Sequence, residues 1–195
     1  MSSAVLLATS SRDKVREIRE MVGSRFAVSS PLDYPIAAPV VEEDGSTYYE
    51  NVLKKAVGYY RVYERPVLAD DSGLEVDALG GAPGIYSARF GGETISWPER
   101  WKHLHQKLAA FPENHWTARF RCVLCYYDGR DVPHFFEGVT EGRILPAPRG
   151  AQGFGYDPIF FSTILNQGFG EASPAEKERV SHRGRAVAQF LKWFP

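Results

Sequence analysis

The 195-residue chain reads as an α/β protein: a mixed twisted sheet flanked by helices, elongated, with two lobes and a central active-site cleft. Three observations predict this. Short apolar runs of strand length (4–8, 66–69 and 159–161) are interspersed with segments whose apolar residues recur at helical spacing. Two longer alternating runs, 116–127 and 132–141, meet at Asp128-Gly129, a strong hairpin signal that adds an antiparallel pair. The length suits one domain of two lobes, residues 1–195, with a sizeable buried interior.

The elements follow in order. AVLLA (4–8) is a buried strand that runs into polar TSSRDK. Val15, Ile18, Met21 and Val22 then mark one helical face. Pro31, Pro35 and Pro39 give an extended connection that ends at Glu42, Glu43 and Asp44. A long helix is predicted over 47–63 from Tyr49, Val52, Leu53, Ala56, Val57 and Tyr60. PVLA (66–69) is a short strand, with Asp70, Asp71 and Ser72 in the loop that follows. Ser96 and Glu99 form a capping box with Pro98 in the first turn, opening a helix to about Ala110. After the hairpin come the glycine-rich RGAQGFGYDP, the strand IFF, a helix capped at Ser173, and a last helix through Trp193.

Composition excludes some classes of function. Apolar residues are 44% and charged residues 24%, as in ordinary globular proteins, and the net charge of −1 lacks the basic surplus of a nucleic-acid binder. No apolar run reaches the ~20 residues that span a bilayer. The opening MSSAVLLATSS has no basic n-region, so the expected location is cytoplasmic, with no membrane partner. The only cysteines, Cys122 and Cys125, lie in a strand-like run with no second pair to complete a zinc site, and they read as core residues.

Four clusters carry chemistry. Thr9, Ser10, Ser11, Arg12, Asp13 and Lys14 sit at a strand-to-helix turn. Backbone N–H groups, hydroxyls and a cation there suit a polyphosphate, although no Walker loop is present. The same residues also read as a well-capped helix start. Glu42, Glu43, Asp70 and Asp71 offer the hard oxygens that Mg2+ takes, or are solvated turn acids. In an extended segment Asp70 and Asp71 point opposite ways, so one can ligate or act as base while the other orients a neighbour. Phe154, Gly155, Tyr156 and Asp157 present a glycine-flanked ring able to stack on a base, or an aromatic-anchored turn. Lys177, Ser181, His182 and Arg183 offer donors to a base edge, or cations at a helix end. Lys177 and Ser181 share a face if the helix is continuous.

These clusters, in this order, resemble the inosine triphosphate pyrophosphatase family, enzymes acting on non-canonical purine nucleoside triphosphates. The matching stretches are LLATSSRDKVREI, EEDGSTYYENVLKKA, LADDSGLEVDALGGAPGIYSARF, GFGYDPIFF and EKERVSHRG, together nearly the whole chain. The resemblance implies a homodimer that uses Mg2+ to release pyrophosphate from ITP, dITP and XTP. It implies that Thr9 to Lys14 grip the phosphates and that Glu42 or Glu43, with Asp71, hold the metal. Asp71 is implied as the base, and Ser72 touches substrate. Phe154 to Asp157 cradle base and sugar, Lys177 reaches the phosphate or base region, and His182 and Arg183 contact the base. Ser10-Ser11 and Ala151-Gln152 depart from the family's usual residues. A hydroxyl at Ser11 donates one hydrogen where a carboxamide donates two. Two other readings remain: a pyrophosphatase for modified pyrimidine or methylated nucleotides, and a nucleotide-binding regulator without turnover, which would not need the acids.

Overall fold

The computed structural model describes residues 4–130 and 132–194. Its strands are β1 (Val5–Leu7), β2 (Val28–Ser29), β3 (Val67–Val76), β4 (Thr117–Tyr127), β5 (His134–Ile144), β6 (Phe160–Ser162) and β7 (Gln167–Gly168). Its helices are α1 (Arg12–Val22), α2 (Tyr48–Tyr63), α3 (Trp97–Leu108), α4 (Pro174–Val180) and α5 (His182–Trp193). The strands make one seven-stranded mixed sheet in the order β2-β1-β3-β4-β5-β6-β7. β1 pairs in parallel with β2 and β3, and β6 pairs antiparallel with β5 and β7. The α/β class expected from the sequence is therefore observed.

By chain contacts the fold divides into two compact units. Among the described residues, the first comprises 4–71, 122–130, 132–137 and 186–194, and the second 72–121 and 138–185. The first is organised around Val5, Leu7, Val15, Ile18, Val22, Leu68, Leu124 and Phe190. The predicted α1 face thus packs where its spacing put it. Phe190 is fully buried there, and truncating such a ring to alanine costs about 3–5 kcal/mol. The second unit has its own core, with Leu74, Leu104, Leu108, Phe120, Ile159, Phe160 and Phe169.

Caps set the helix starts, at Ser96 and Ser173 as their sequence signals predict and at Thr47 without a cap having been predicted. Thr47 accepts from Glu50 N–H, and Ser96 with Glu99 and Ser173 with Glu176 form complete capping boxes. At the hairpin, Arg130 N–H donates to Asp128 Oδ1 at 3.0 Å. Three expectations need correction. Tyr49, placed on the apolar face of α2, is 42% exposed and donates to Glu137 instead. Asp70, Asp71 and Ser72 are not in a loop but inside the ten-residue β3. Their turn-forming composition is overridden because Asp70 finds partners for its charge in the interior, and tertiary context outweighs local preference in strands. Lys177 and Ser181 do not share a continuous helix, since Ser181 is extended (φ −68°, ψ 157°) and separates α4 from α5.

Candidate active site

In the first unit, α1, the loop before α2, α2 itself and β3 bring together one group of polar side chains. Lys14, in the first turn of α1, forms an ion pair with Asp70, which is only 2% exposed. The buried Cys122 thiol donates to the other oxygen of Asp70 at 3.3 Å. Lys55 on α2 pairs with Glu43 at 2.9 Å and donates to the Asp70 carbonyl at 3.1 Å. Asp70 is thus charge-matched. Its neighbour on the opposite strand face is not: Asp71 is 6% exposed, and its Oδ2 is buried with no hydrogen-bond partner among the described residues.

Burial raises the Asp71 pKa to about 6, because a charged carboxylate loses its hydration there. Lys55 and Lys14 oppose the rise, while the negative charges of Glu43 and Asp70 add to it. A buried oxygen with no donor, next to a second carboxylate, is a place where positive charge is missing. Glu43 and Asp71 are hard-oxygen donors of the kind Mg2+ takes, and one or two carboxylates normally suffice for it because substrate phosphates and water complete the shell. The described residues hold no group of three or more His, Cys, Asp or Glu able to form an all-protein cage. The donor set fits Mg2+ arriving with a polyphosphate. Between the two candidate acids, Glu43 is part of the cluster and Glu42 lies exposed outside it.

The phosphate turn is only partly as expected. Thr9 Oγ1 accepts from Ser11 N–H at 3.1 Å, and Ser11 Oγ caps α1 by accepting from Lys14 N–H at 3.4 Å. The N–H groups of Thr9, Ser11 and Lys14 are thus satisfied internally, which leaves the first-turn N–H groups of α1 at Arg12 and Asp13, with the hydroxyls, as what the turn can offer an anion. Asp13 pairs with Arg16 at 2.9 Å on the exposed side of α1, and Arg12 is exposed.

The second unit holds the other group. Asp157 Oδ2 accepts from Phe154 N–H at 2.7 Å and from Lys177 Nζ at 2.6 Å. Gly153, at φ +73°, makes this turn possible: a Cβ there would lie 2.1 Å from Asp157 Oδ2. Lys177 Nζ sits 5.0 Å and the Arg183 guanidinium 5.6 Å from the Phe154 ring centre. Arg183, 2% exposed, donates to Ser72 Oγ at 3.0 Å. His182 stacks on Phe120, with centroids 4.8 Å apart and planes 15° apart. Trp101 on α3 holds the loop from outside, donating to the Gly155 carbonyl at 2.9 Å. The Tyr156 hydroxyl donates to the Ser87 carbonyl at 3.1 Å, and burial raises its pKa. Tyr156 thus anchors the loop. Ser72, Phe154, Asp157, Lys177 and Arg183 form one connected set.

Sequence reasoning missed Lys55, Tyr59, Asn51 and the role of Cys122. Asn51, Lys55 and Tyr59 recur every four residues along α2 on the side facing the acids. Tyr59 bonds the Ser10 hydroxyl and lies near Glu43, and its phenol pKa is raised mainly by burial. The available signal was an asparagine and a lysine interleaved with Val52 and Ala56 on an otherwise apolar face. Cys125 is inert by comparison: burial alone pushes its thiol up to about 12.

Residues 5–193 match the Ham1 family. A dITP/XTP pyrophosphatase from Halalkalibacterium halodurans is 42% identical over 189 residues, covering 96% of this chain and 97% of the relative. The solved HAM1 protein of Coxiella burnetii superposes with a TM-score of 0.87 at 34% identity, covering 98% of each chain. The Ham1 protein of Staphylococcus aureus gives 0.86 at 32% identity, covering 98% of this chain and 97% of the other.

Proposed function

The chain belongs to the Ham1 family, and from that premise we propose that it hydrolyses ITP, dITP and XTP to the monophosphate and pyrophosphate, with Mg2+ as cofactor. The observation that carries this reading is the buried, unpartnered Asp71 carboxyl beside Glu43, Lys14 and Lys55. The two clusters match the two ends of a purine nucleoside triphosphate, one in phosphate and metal chemistry, the other in base chemistry.

Glu43 and Asp71 would hold the Mg2+, which when bound neutralises phosphate charge that repels a nucleophile. Asp71 accepts the proton of a water directed at the α-phosphorus. Lys14 and Lys55 oppose the charge that develops on departing pyrophosphate. Phe154 stacks on the base. Arg183 and Lys177 supply donors that suit the C6 oxygen of hypoxanthine or xanthine and repel the amino group of adenine. A mispaired buried polar group costs about 1–3 kcal/mol, enough for tens-fold rejection of ATP. The homodimer implied by resemblance and the cytoplasmic location expected from the sequence belong to this proposal, and light scattering reads the former.

The test is a panel of ITP, dITP, XTP, GTP, ATP and modified pyrimidine triphosphates with Mg2+, assayed for pyrophosphate and orthophosphate separately. In oxygen-18 water, the label is expected in the monophosphate. Orthophosphate as first product, or label in pyrophosphate, means attack elsewhere and removes the assignment. Binding without turnover would leave a regulator.

A further inference from the structure

The acid loop that carries Glu43 has no secondary structure of its own: residues 37–45 are neither helix nor strand, and α2 begins at Tyr48. A ligating carboxylate on such a loop is useful only if its neighbours fix it. Ser46 donates to Glu50 Oε2 from its N–H at 2.7 Å and from its hydroxyl at 2.8 Å, and three further ties bind the loop to α2 nearer Glu43. Asp44 pairs with Lys54 at 2.5 Å and Glu43 with Lys55 at 2.9 Å. Gly45 N–H donates to Asn51 Oδ1 at 2.7 Å in a buried hydrogen bond. The first two use long, partly exposed side chains, which hold position weakly. Asn51 differs: it is short, 1% exposed, and grips backbone rather than a flexible side chain. The approach is close enough that a Cβ on Gly45 would come within 2.7 Å of both Asn51 Oδ1 and Glu50 Cβ.

Asn51 is also unfavourable in one respect. Its Nδ2 is buried without a hydrogen-bond partner among the described residues. An unpaired buried amide donor destabilises, and a leucine between Val52 and the other apolar residues of α2 would carry no such penalty. Helix stability alone therefore does not account for an asparagine here, whereas the grip on Gly45 does.

We infer that Asn51 is a positioning residue for the divalent cation: it fixes the backbone at Gly45, two residues from Glu43, so that the Glu43 carboxylate is presented in one place. The inference rests on the metal reading above and deepens it. Supporting groups of this kind typically change metal affinity or activity by about 10–100-fold when removed.

The experiment measures Mn2+ binding by electron paramagnetic resonance in the presence of α,β-methylene-ITP. Alongside it runs the Mg2+ concentration giving half-maximal pyrophosphate release from dITP. The proteins are the wild type, Asn51→Leu, Asn51→Asp, Gly45→Ala and, as a stability control, the core truncation Val187→Ala. Asn51→Leu and Gly45→Ala should each weaken Mn2+ binding by about tenfold or more and raise the Mg2+ requirement in step, with kcat at saturating Mg2+ moving less. Asn51→Asp keeps an acceptor for Gly45 N–H and should stay nearer the wild type than Asn51→Leu. Val187→Ala should lower Tm and leave Mn2+ binding unchanged. If Asn51→Leu lowers Tm but binds Mn2+ like the wild type, the inference is overturned. If Asn51→Leu does not fold, wild-type Mn2+ binding by Gly45→Ala overturns it equally. A wild type that binds no Mn2+ and turns over fully in EDTA overturns the metal reading itself, a result distinct from either.

Discussion

The two polar clusters are built on opposite electrostatic principles. In the second cluster the acid is matched and the guanidinium is hydrogen-bonded: Asp157 takes Lys177 and the Phe154 N–H, and Arg183 donates to Ser72. In the first, Asp70 is matched by Lys14 and Cys122, while Asp71 is buried with one oxygen empty-handed and its pKa raised to about 6. A satisfied cluster holds a shape, and an unsatisfied one holds free energy that a ligand can release.

That contrast is broken most severely at Asp71. Asp71→Asn should reduce kcat by about 10²–10⁴-fold, read by pyrophosphate release. The same variant should be more stable than the wild type without ligands. The folded pKa lies above the unfolded 3.8, so the native state binds the extra proton between about pH 4 and 6. Stability should therefore fall as pH rises through that window and stay lower above it. The asparagine variant removes a penalty of up to about 3 kcal/mol at neutral pH, measurable as a raised Tm.

The second cluster should behave the other way. Lys177→Met removes the cation that pairs with buried Asp157, and breaking such a pair costs about 3–5 kcal/mol, so Tm should fall along with substrate affinity. Arg183→Lys keeps charge but loses the planar fork. It should narrow the preference for ITP over ATP by about tenfold, read as a ratio of kcat/KM values. An unchanged ratio would take base reading away from Arg183. At the small end, Asp13→Asn removes only the exposed pair with Arg16 and should change stability by about 0.5 kcal/mol or less, with KM unmoved. A large rise in KM would restore the phosphate role that resemblance gave Asp13.

Much of this was legible in sequence, and for identifiable reasons. Caps at Ser96 and Ser173 are local and obey local rules, so those helix starts were readable within a residue or two. The apolar spacing of α1 reported its buried face directly. β3 was not legible past Ala69, because Asp-Asp-Ser-Gly looks like a turn until the partners of Asp70 are known, and Lys14 lies 56 residues away. The break at Ser181 was likewise hidden, since its extended backbone interrupts a segment that otherwise reads as helical. In the candidate site, Lys14, Glu43, Asp71 and Phe154 were singled out by residue type, whereas Asn51, Lys55 and Tyr59 were passed over. Their only mark was polarity on an apolar helix face.

The central claim is that burial, only partly offset by Lys55 and Lys14, holds the Asp71 carboxyl above the ordinary aspartate range in the free protein. Carbon-13 NMR of aspartate-labelled protein, with Asp71→Asn for assignment, measures it directly. The account predicts a midpoint near pH 6 for Asp71 without ligands and a fall well below that when Mg2+ and α,β-methylene-ITP are added. An Asp71 carboxyl that titrates near pH 4 in the free protein, and does not move on adding both, would contradict it.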